Sequence, residues 1–371
     1  MLWAGGERVS QQIRIHDLLK YAVEHKASDI HLAAGEPPAL RIHGEVERMA
    51  DLEPLSPAEA RRLAYSIMNE KQKIVFENEF ELDFSFGLRG LARFRVNVFQ
   101  QRLGVGLVLR QIPSDVLTLE QISAPKIFED IAATRKGLVL VTGPTGSGKS
   151  TTLAAIIDHI NKTRAEHIIT IEDPLEFVHA PKKCIINQRE VGTHTKSFSN
   201  ALRSALREDP DVILVGEMRD LETVSLAMSA AETGHLVFGT LHTNSCPETI
   251  DRIIDSYPHE QQSQVRTMLS TSLMAVITQG LLRKVDGSGR VAVHEIMIVN
   301  RAIRNLIREN KLHQIPSSME TARGSGMQTM EMALKDAVAK RQITRKQAIT
   351  FSNNPNLFQN EDANRPPRRG R

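Results

Sequence analysis

One octapeptide limits what this chain can fold into more than any other stretch. Gly143-Pro144-Thr145-Gly146-Ser147-Gly148-Lys149-Ser150 satisfies G-x-x-x-x-G-K-[ST] in full. The apolar run 138–141 precedes it, and residues 150–157, beginning Ser150-Thr151-Thr152, open a helix after it. A strand, a glycine loop and a helix in that order turn backbone N–H groups toward a phosphate and add the partial positive charge of a helix N-terminus. Lys149 is then the side chain for the β- and γ-phosphates, and the Ser150 hydroxyl, with Thr151 next to it, is placed to hold Mg²⁺. Average composition produces such an octapeptide by chance in about 1% of chains of this length, so an ordinary glycine turn is the weaker reading.

A phosphate loop of this kind needs a parallel sheet, and the rhythm of the chain supplies one. Residues 138–142, 167–171, 212–215 and 236–241 are short β-rich runs separated by helical segments, which implies a mainly parallel sheet covered by helices. Beyond Pro258 the chain is expected to be mostly helical, apart from a strand over 290–299. Ahead of the loop the pattern differs. Residues 13–24 carry apolar side chains at helical spacing, 28–32 open a strand and 40–46 alternate. Ser56-Pro57-Ala58-Glu59 is a helix start, and 82–112 read as strands bent near glycines. The expected division is an irregular extension over 1–12, a smaller α+β domain over 13–112, a linker over 113–135, an α/β domain carrying the phosphate loop and ending in a helical part over 136–352 and a disordered basic tail over 353–371.

Composition excludes several other classes. The net charge of +3 depends on four arginines in residues 363–371; the remainder carries 43 basic and 44 acidic residues, so the body shows no electrostatic footprint for nucleic acid. Aromatic residues are 4% of the chain, little material for stacking bases. Cys184 and Cys246 are too few for a disulfide framework or a four-thiolate zinc site. Neither a long apolar span nor a signal peptide is evident, and the expectation is a soluble intracellular protein.

Hydrolysis requires acids near the phosphates. Residues 212–215 form a buried-strand pattern that ends in Gly216-Glu217, where many P-loop proteins have an aspartate before the glutamate. Glu217 therefore acts alone or with Glu172, Asp173 and Glu176, which follow the run 167–171; carboxylates at the ends of neighbouring parallel strands converge where such sheets bind ligands. His235 and His242 frame the run 236–241, with His242 at the carboxyl end of a strand.

These segments together resemble a known family. The phosphate loop, Thr170 through Glu176, Leu206-Arg207-Glu208-Asp209-Pro210-Asp211 leading to Gly216-Glu217-Met218-Arg219-Asp220, and Thr233 through Thr243 occur in the order of the Walker A, Asp box, Walker B and His box of bacterial type II/type IV secretion ATPases. The likeness spans roughly 13–350, and Gly-Glu at the Walker B end is usual in that family. Ala27-Ser28-Asp29-Ile30-His31-Leu32 and Ala302-Ile303-Arg304-Asn305-Leu306-Ile307-Arg308-Glu309 are similar to signatures of its type IV pilus retraction members. The resemblance implies a PAS-like amino-terminal domain, a RecA-like ATPase domain and a homohexameric ring that hydrolyses ATP with Mg²⁺. It implies that Glu176 activates the attacking water, that Glu217 supports Mg²⁺ and water, and that His235 and His242 lie near the γ-phosphate. Arg93, Arg95 and Arg110 are the candidate arginines for the phosphates. An inner-membrane pilus platform protein (PilC-like) and an accessory PilU-like ATPase are the implied partners, with no nucleic acid. A pilus-assembly or type II secretion ATPase of the same family, and a nucleotide-gated scaffold with negligible turnover, are the alternatives.

Overall fold

Two sheets of different construction organise the chain. The computed structural model describes residues 13–42, 45–88, 91–112 and 115–359. The extension over 1–12 and the arginines of the tail lie outside the described residues. By contacts the chain forms two units, the first comprising Met1–Asp115 with Glu176–Val178 and the second Val116–Leu175 with His179–Arg371.

The first unit contains an antiparallel sheet of β1 (Asp29–Ala33), β2 (Ala39–Ile42), β3 (Glu45–Arg48), β4 (Glu81–Leu88), β5 (Ala92–Gln101) and β6 (Gly104–Ile112), in the order β3-β2-β1-β6-β5-β4. The alternating stretch 40–46 is divided between β2 and β3, which pair as a hairpin. The period of two sorts β5 cleanly: Phe94, Val96 and Val98 are buried with Ile30, Leu107 and Leu109, and the odd-numbered residues face the other way. Three helices complete the unit, α1 (Ile15–Glu24), α2 (Pro57–Tyr65) and α3 (Glu70–Glu79). Leu18, Leu19 and Ala22 of α1 enter the core. Ser56 and Glu59 close the capping box that starts α2.

The second unit is built on seven strands: β7 (Gly137–Thr142), β8 (His167–Glu172), β9 (Ile185–Glu190), β10 (Val212–Val215), β11 (Leu236–Leu241), β12 (Leu273–Arg283) and β13 (Arg290–Ile298). Their order is β13-β12-β7-β11-β10-β8-β9, parallel throughout except for β13 against β12. All six residues of β7 are buried, as a central parallel strand requires. Helices α4 (Ile127–Ala133), α5 (Lys149–Thr163), α6 (Phe198–Ala205), α7 (Leu221–Glu232), α8 (Cys246–Asp255), α9 (His259–Ser272), α10 (Arg301–Arg308), α11 (Ile315–Thr321), α12 (Met330–Ala339), α13 (Arg345–Phe351) and α14 (Asn356–Gln359) follow in the same unit. Two large hydrophobic clusters draw on opposite faces of the sheet. Leu138, Leu140, Ile213 and Val237 belong to one, and Val139, Val141, Val212 and Phe238 to the other.

Three expectations need correction. The segment 273–283 is an eleven-residue strand rather than part of a helical region. Its run Leu273-Met274-Ala275-Val276-Ile277 is apolar on both faces, and periodicity alone cannot separate such a run from a buried helix. Within the expected linker 113–135, α4 buries Phe128 and Ile131 in the core of the second unit. The expected disordered tail begins too early, because α14 is helical and Phe358 is buried with Val293, Leu334, Ala337 and Ala348. One buried aromatic side chain anchors a segment whose neighbouring apolar residue, Leu357, is exposed.

Phe358→Ala is expected to cost about 3 kcal/mol of local stability. The readout is earlier loss of hydrogen-exchange protection in α12 and α13, with β7 and β11 unchanged.

Candidate active site

The parallel register carries several functional side chains to one edge of the second unit's sheet. Thr142 of β7 pairs with Leu241 of β11, and Val215 of β10 pairs with Gly239 of β11 and Ile171 of β8. The loops that follow these strands therefore leave the sheet together: Gly143–Ser150 after β7, His242 after β11, Glu217 after β10 and Asp173 after β8. This is the edge where parallel α/β sheets bind ligands.

The phosphate loop wraps the start of α5. Gly148 takes the N-cap position at φ 89° with no side-chain cap, which leaves the helix's first amides for an anion. Lys149 donates to the carbonyls of Gly143 (2.7 Å) and Pro144 (3.1 Å), so its ammonium is held over the loop by the loop's own main chain. Ser147 is 3% exposed and its Oγ has no hydrogen-bond partner. A buried hydroxyl left so costs roughly 1–3 kcal/mol, which a phosphate oxygen in the loop would offset. These features fit a nucleotide phosphate. The described residues contain no cluster of three metal-ligating His, Cys, Asp or Glu side chains.

Glu217 is the acid this edge presents with its partners in place. Arg219 binds its Oε2 at 2.6 Å, and His242 Nε2 lies 3.2 Å from its Oε1. The Arg219 hydrogen bond, reinforced by the charges of Arg219 and His242, holds the Glu217 carboxyl below the usual glutamate range against the opposing effect of burial. A Cβ at 216 would lie 3.1 Å from the Ile171 carbonyl oxygen and 3.2 Å from Glu172 Cα, a tight fit against the end of β8. Glu172 is buried and accepts a hydrogen bond from Thr170 Oγ1 at 2.7 Å. Thr240 ties the neighbouring strand in by donating to the Gly216 carbonyl at 2.5 Å.

The remaining sequence candidates are distributed differently. His235 precedes β11 at the opposite edge, where its carbonyl accepts from Gly137 N, the first residue of β7, and its Nδ1 lies 2.9 Å from the Ala230 carbonyl oxygen. A six-residue strand at about 3.3 Å per residue puts some 20 Å between it and the phosphate loop, so the expectation of a γ-phosphate contact for His235 is not met within this chain. Asp173 and Glu176 are exposed, and Glu176 groups with the first unit. On the first unit's sheet, Arg95 stands directly across from Arg110, whose Nε donates to the buried Asp29 at 2.8 Å; Arg93 is half-buried two residues along.

A cavity of about 630 Å³ opens beside the loop, within the second unit. Gly148 and Thr151 line it together with Leu281, Lys284, Val291 and His294. His294 is 4% exposed and packs edge-on to Phe128 at 5.2 Å; burial lowers its pKa to about 4, so it is neutral at physiological pH. Sequence reasoning missed this cavity because β12, β13 and α12 come together there only in the fold.

A family model described as type II/IV secretion system protein matches residues 7–350. The chain is 56% identical over 344 residues to the type IV pilus retraction ATPase PilT of Pseudomonas aeruginosa, covering 93% of this chain and 99% of that relative. It is 58% identical over 301 residues to a twitching motility protein of Neisseria gonorrhoeae, covering 81% and 80%. A crystal structure of the pilus retraction motor PilT with bound ADP matches with a TM-score of 0.88 at 52% identity, over 93% of this chain and 98% of that one.

The Glu217 contacts generate a pH prediction. A depressed carboxyl stays ionised as pH falls and is protonated only below the ordinary glutamate range. Arg219→Ala removes the largest cause of the depression, so the acid limb of the pH–turnover profile is expected to move toward neutral; an unmoved limb would show that Glu217 does not set it.

Proposed function

The chain belongs to the type II/IV secretion system protein family, and from that premise we propose that it is an ATP-hydrolysing motor that powers type IV pilus retraction and so twitching motility. The observation that carries the reading is the phosphate loop sharing one strand edge with an ionised, doubly held Glu217. The relatives named above, a retraction ATPase and an ADP-bound retraction motor, support both the reaction and its use.

The residues suggest a division of labour. Amides at the start of α5 and the Lys149 ammonium bind the β- and γ-phosphates, and the cavity beside Thr151 takes the rest of the nucleotide. Mg²⁺, when bound at Ser150, supplies positive charge that neutralises the charge developing on the phosphates. Glu217 accepts hydrogen bonds from water at the γ-phosphate end, while Arg219 and His242 fix its orientation. Glu176 is proposed as the group that activates the attacking water, and Arg93, Arg95 and Arg110 as sources of positive charge for the transferring phosphoryl. Phosphate contacts made on binding and lost on release would bias a hinge motion.

The assembled motor is proposed to be a homohexamer acting on an inner-membrane platform protein (PilC-like), with a PilU-like accessory ATPase, at the cytoplasmic face of that membrane. Among the described residues no helix is long and apolar enough to cross a membrane. Retraction is favoured over assembly because two cysteines far apart in the sequence, Cys184 and Cys246, cannot supply the four thiolates of the zinc insertion that assembly members of the family usually carry.

Lys149→Ala and Glu217→Ala are each expected to lower steady-state phosphate release by about 10²-fold or more; near-normal turnover in both would overturn the assignment. A deletion strain is expected to keep abundant pili and lose twitching. Loss of the pili themselves would indicate assembly instead.

A further inference from the structure

The phosphate loop does not hold its shape alone. Strand β12 runs parallel to β7 with Thr278 opposite Thr142, and the two hydroxyls bond at 2.8 Å. The next residue on β12, Gln279, is 2% exposed and lies against the loop. Its side-chain amide uses both ends. Nε2 donates to the Ser147 carbonyl at 2.7 Å, and Oε1 accepts from Thr152 Oγ1 at 2.7 Å. One side chain thus joins the tip of the loop to the first turn of α5.

The same residue accounts for two of the loop's glycines. A Cβ at Gly143 would lie 2.3 Å from the Gln279 carbonyl oxygen, and one at Gly148 would lie 2.8 Å from Gln279 Nε2. Both positions also have positive φ, 135° and 89°. Gly146 has no neighbour within 4 Å of a built Cβ, so crowding by β12 is confined to the two ends of the loop.

We propose that Gln279 is a positioning residue for nucleotide binding, clamping the loop so that its amides are already aimed when the phosphates arrive. The inference rests on the nucleotide reading of this site and extends it to a residue outside the motif. The clamp holds protein to protein and touches neither nucleotide nor reacting atoms. Its loss therefore weakens ground state and transition state alike, which raises KM and leaves kcat.

Gln279→Met keeps length and apolar volume and removes both hydrogen bonds. In the full-length protein it is expected to raise the KM for ATP and the Kd for a fluorescent ADP analogue by about tenfold, the effect of two ordinary hydrogen bonds, with kcat within about twofold of the parent. Thr152→Val removes one bond and is expected to give a smaller rise, about threefold, that adds nothing when combined with Gln279→Met. Gln279→Glu supplies a pH readout. Its carboxylate faces the Ser147 carbonyl and repels it, whereas the protonated acid donates as the amide does. ADP affinity in this variant is expected to recover as pH falls, relative to the parent at each pH. A merely structural residue would lower kcat through loss of folded protein, with KM unchanged and no pH-dependent rescue. That pattern in Gln279→Met and Gln279→Glu overturns the proposal. Absence of ATP turnover and ADP binding in the parent would overturn the nucleotide reading itself, a different and separable result.

Discussion

Parallel strand register is the constraint on which the rest of the second unit depends. Side chains at the end of one strand meet those of the next only if the strands stop at the same level. Here Thr142, Leu241, Val215 and Ile171 are at or near the last paired positions of four strands that lie side by side. A shift of one residue in any pair would turn its side chains to the opposite face. Because β7, β10 and β11 are buried on both faces, such a shift would also break the packing of Leu140, Val141, Ile213 and Phe238. The site is therefore held in place by the same hydrophobic burial that stabilises the fold.

On this frame the phosphate loop has to satisfy two opposed demands. Its amides must be left for a ligand, yet an open glycine loop has high conformational entropy. The fold restrains the loop mainly through its carbonyls and side chains, although the Ser147 amide also donates to the Pro144 carbonyl at 3.2 Å. Lys149 donates to two loop carbonyls, and Gln279 donates to a third while accepting from Thr152. Glu217 is treated in a similar way: Arg219 and His242 hold its carboxylate ionised and oriented from either side. Preorganised charge of this kind costs no rearrangement when the phosphoryl group reacts.

The sequence was most legible where one segment both forms and occupies the site. Gly143–Ser150 carries its strand, turn, lysine and hydroxyl within one stretch, and the capping box at Ser56 and Glu59 is similarly local. Reading failed where a side chain's meaning depends on which end of a strand it occupies. His235 and His242 look equivalent around an apolar run, but only His242 follows β11 at the loop edge. It failed again for 273–283, where continuous burial over 275–280 removes the alternation that marks a strand, and for Phe358, a single buried anchor beside an exposed Leu357.

Sequence alone determined that a glycine loop with the lysine and hydroxyl of a phosphate cradle follows residue 142, that a mainly parallel sheet supports it and that Glu217 follows a neighbouring strand. These follow from spacing along the chain, which local backbone geometry translates directly into shape. Only the tertiary structure decided that β8 packs closely beside Gly216, that Gln279 closes on the loop and that a cavity opens between α5 and β13. Each of those depends on contacts between residues tens to more than a hundred positions apart, and no short-range pattern encodes which distant strand will lie alongside.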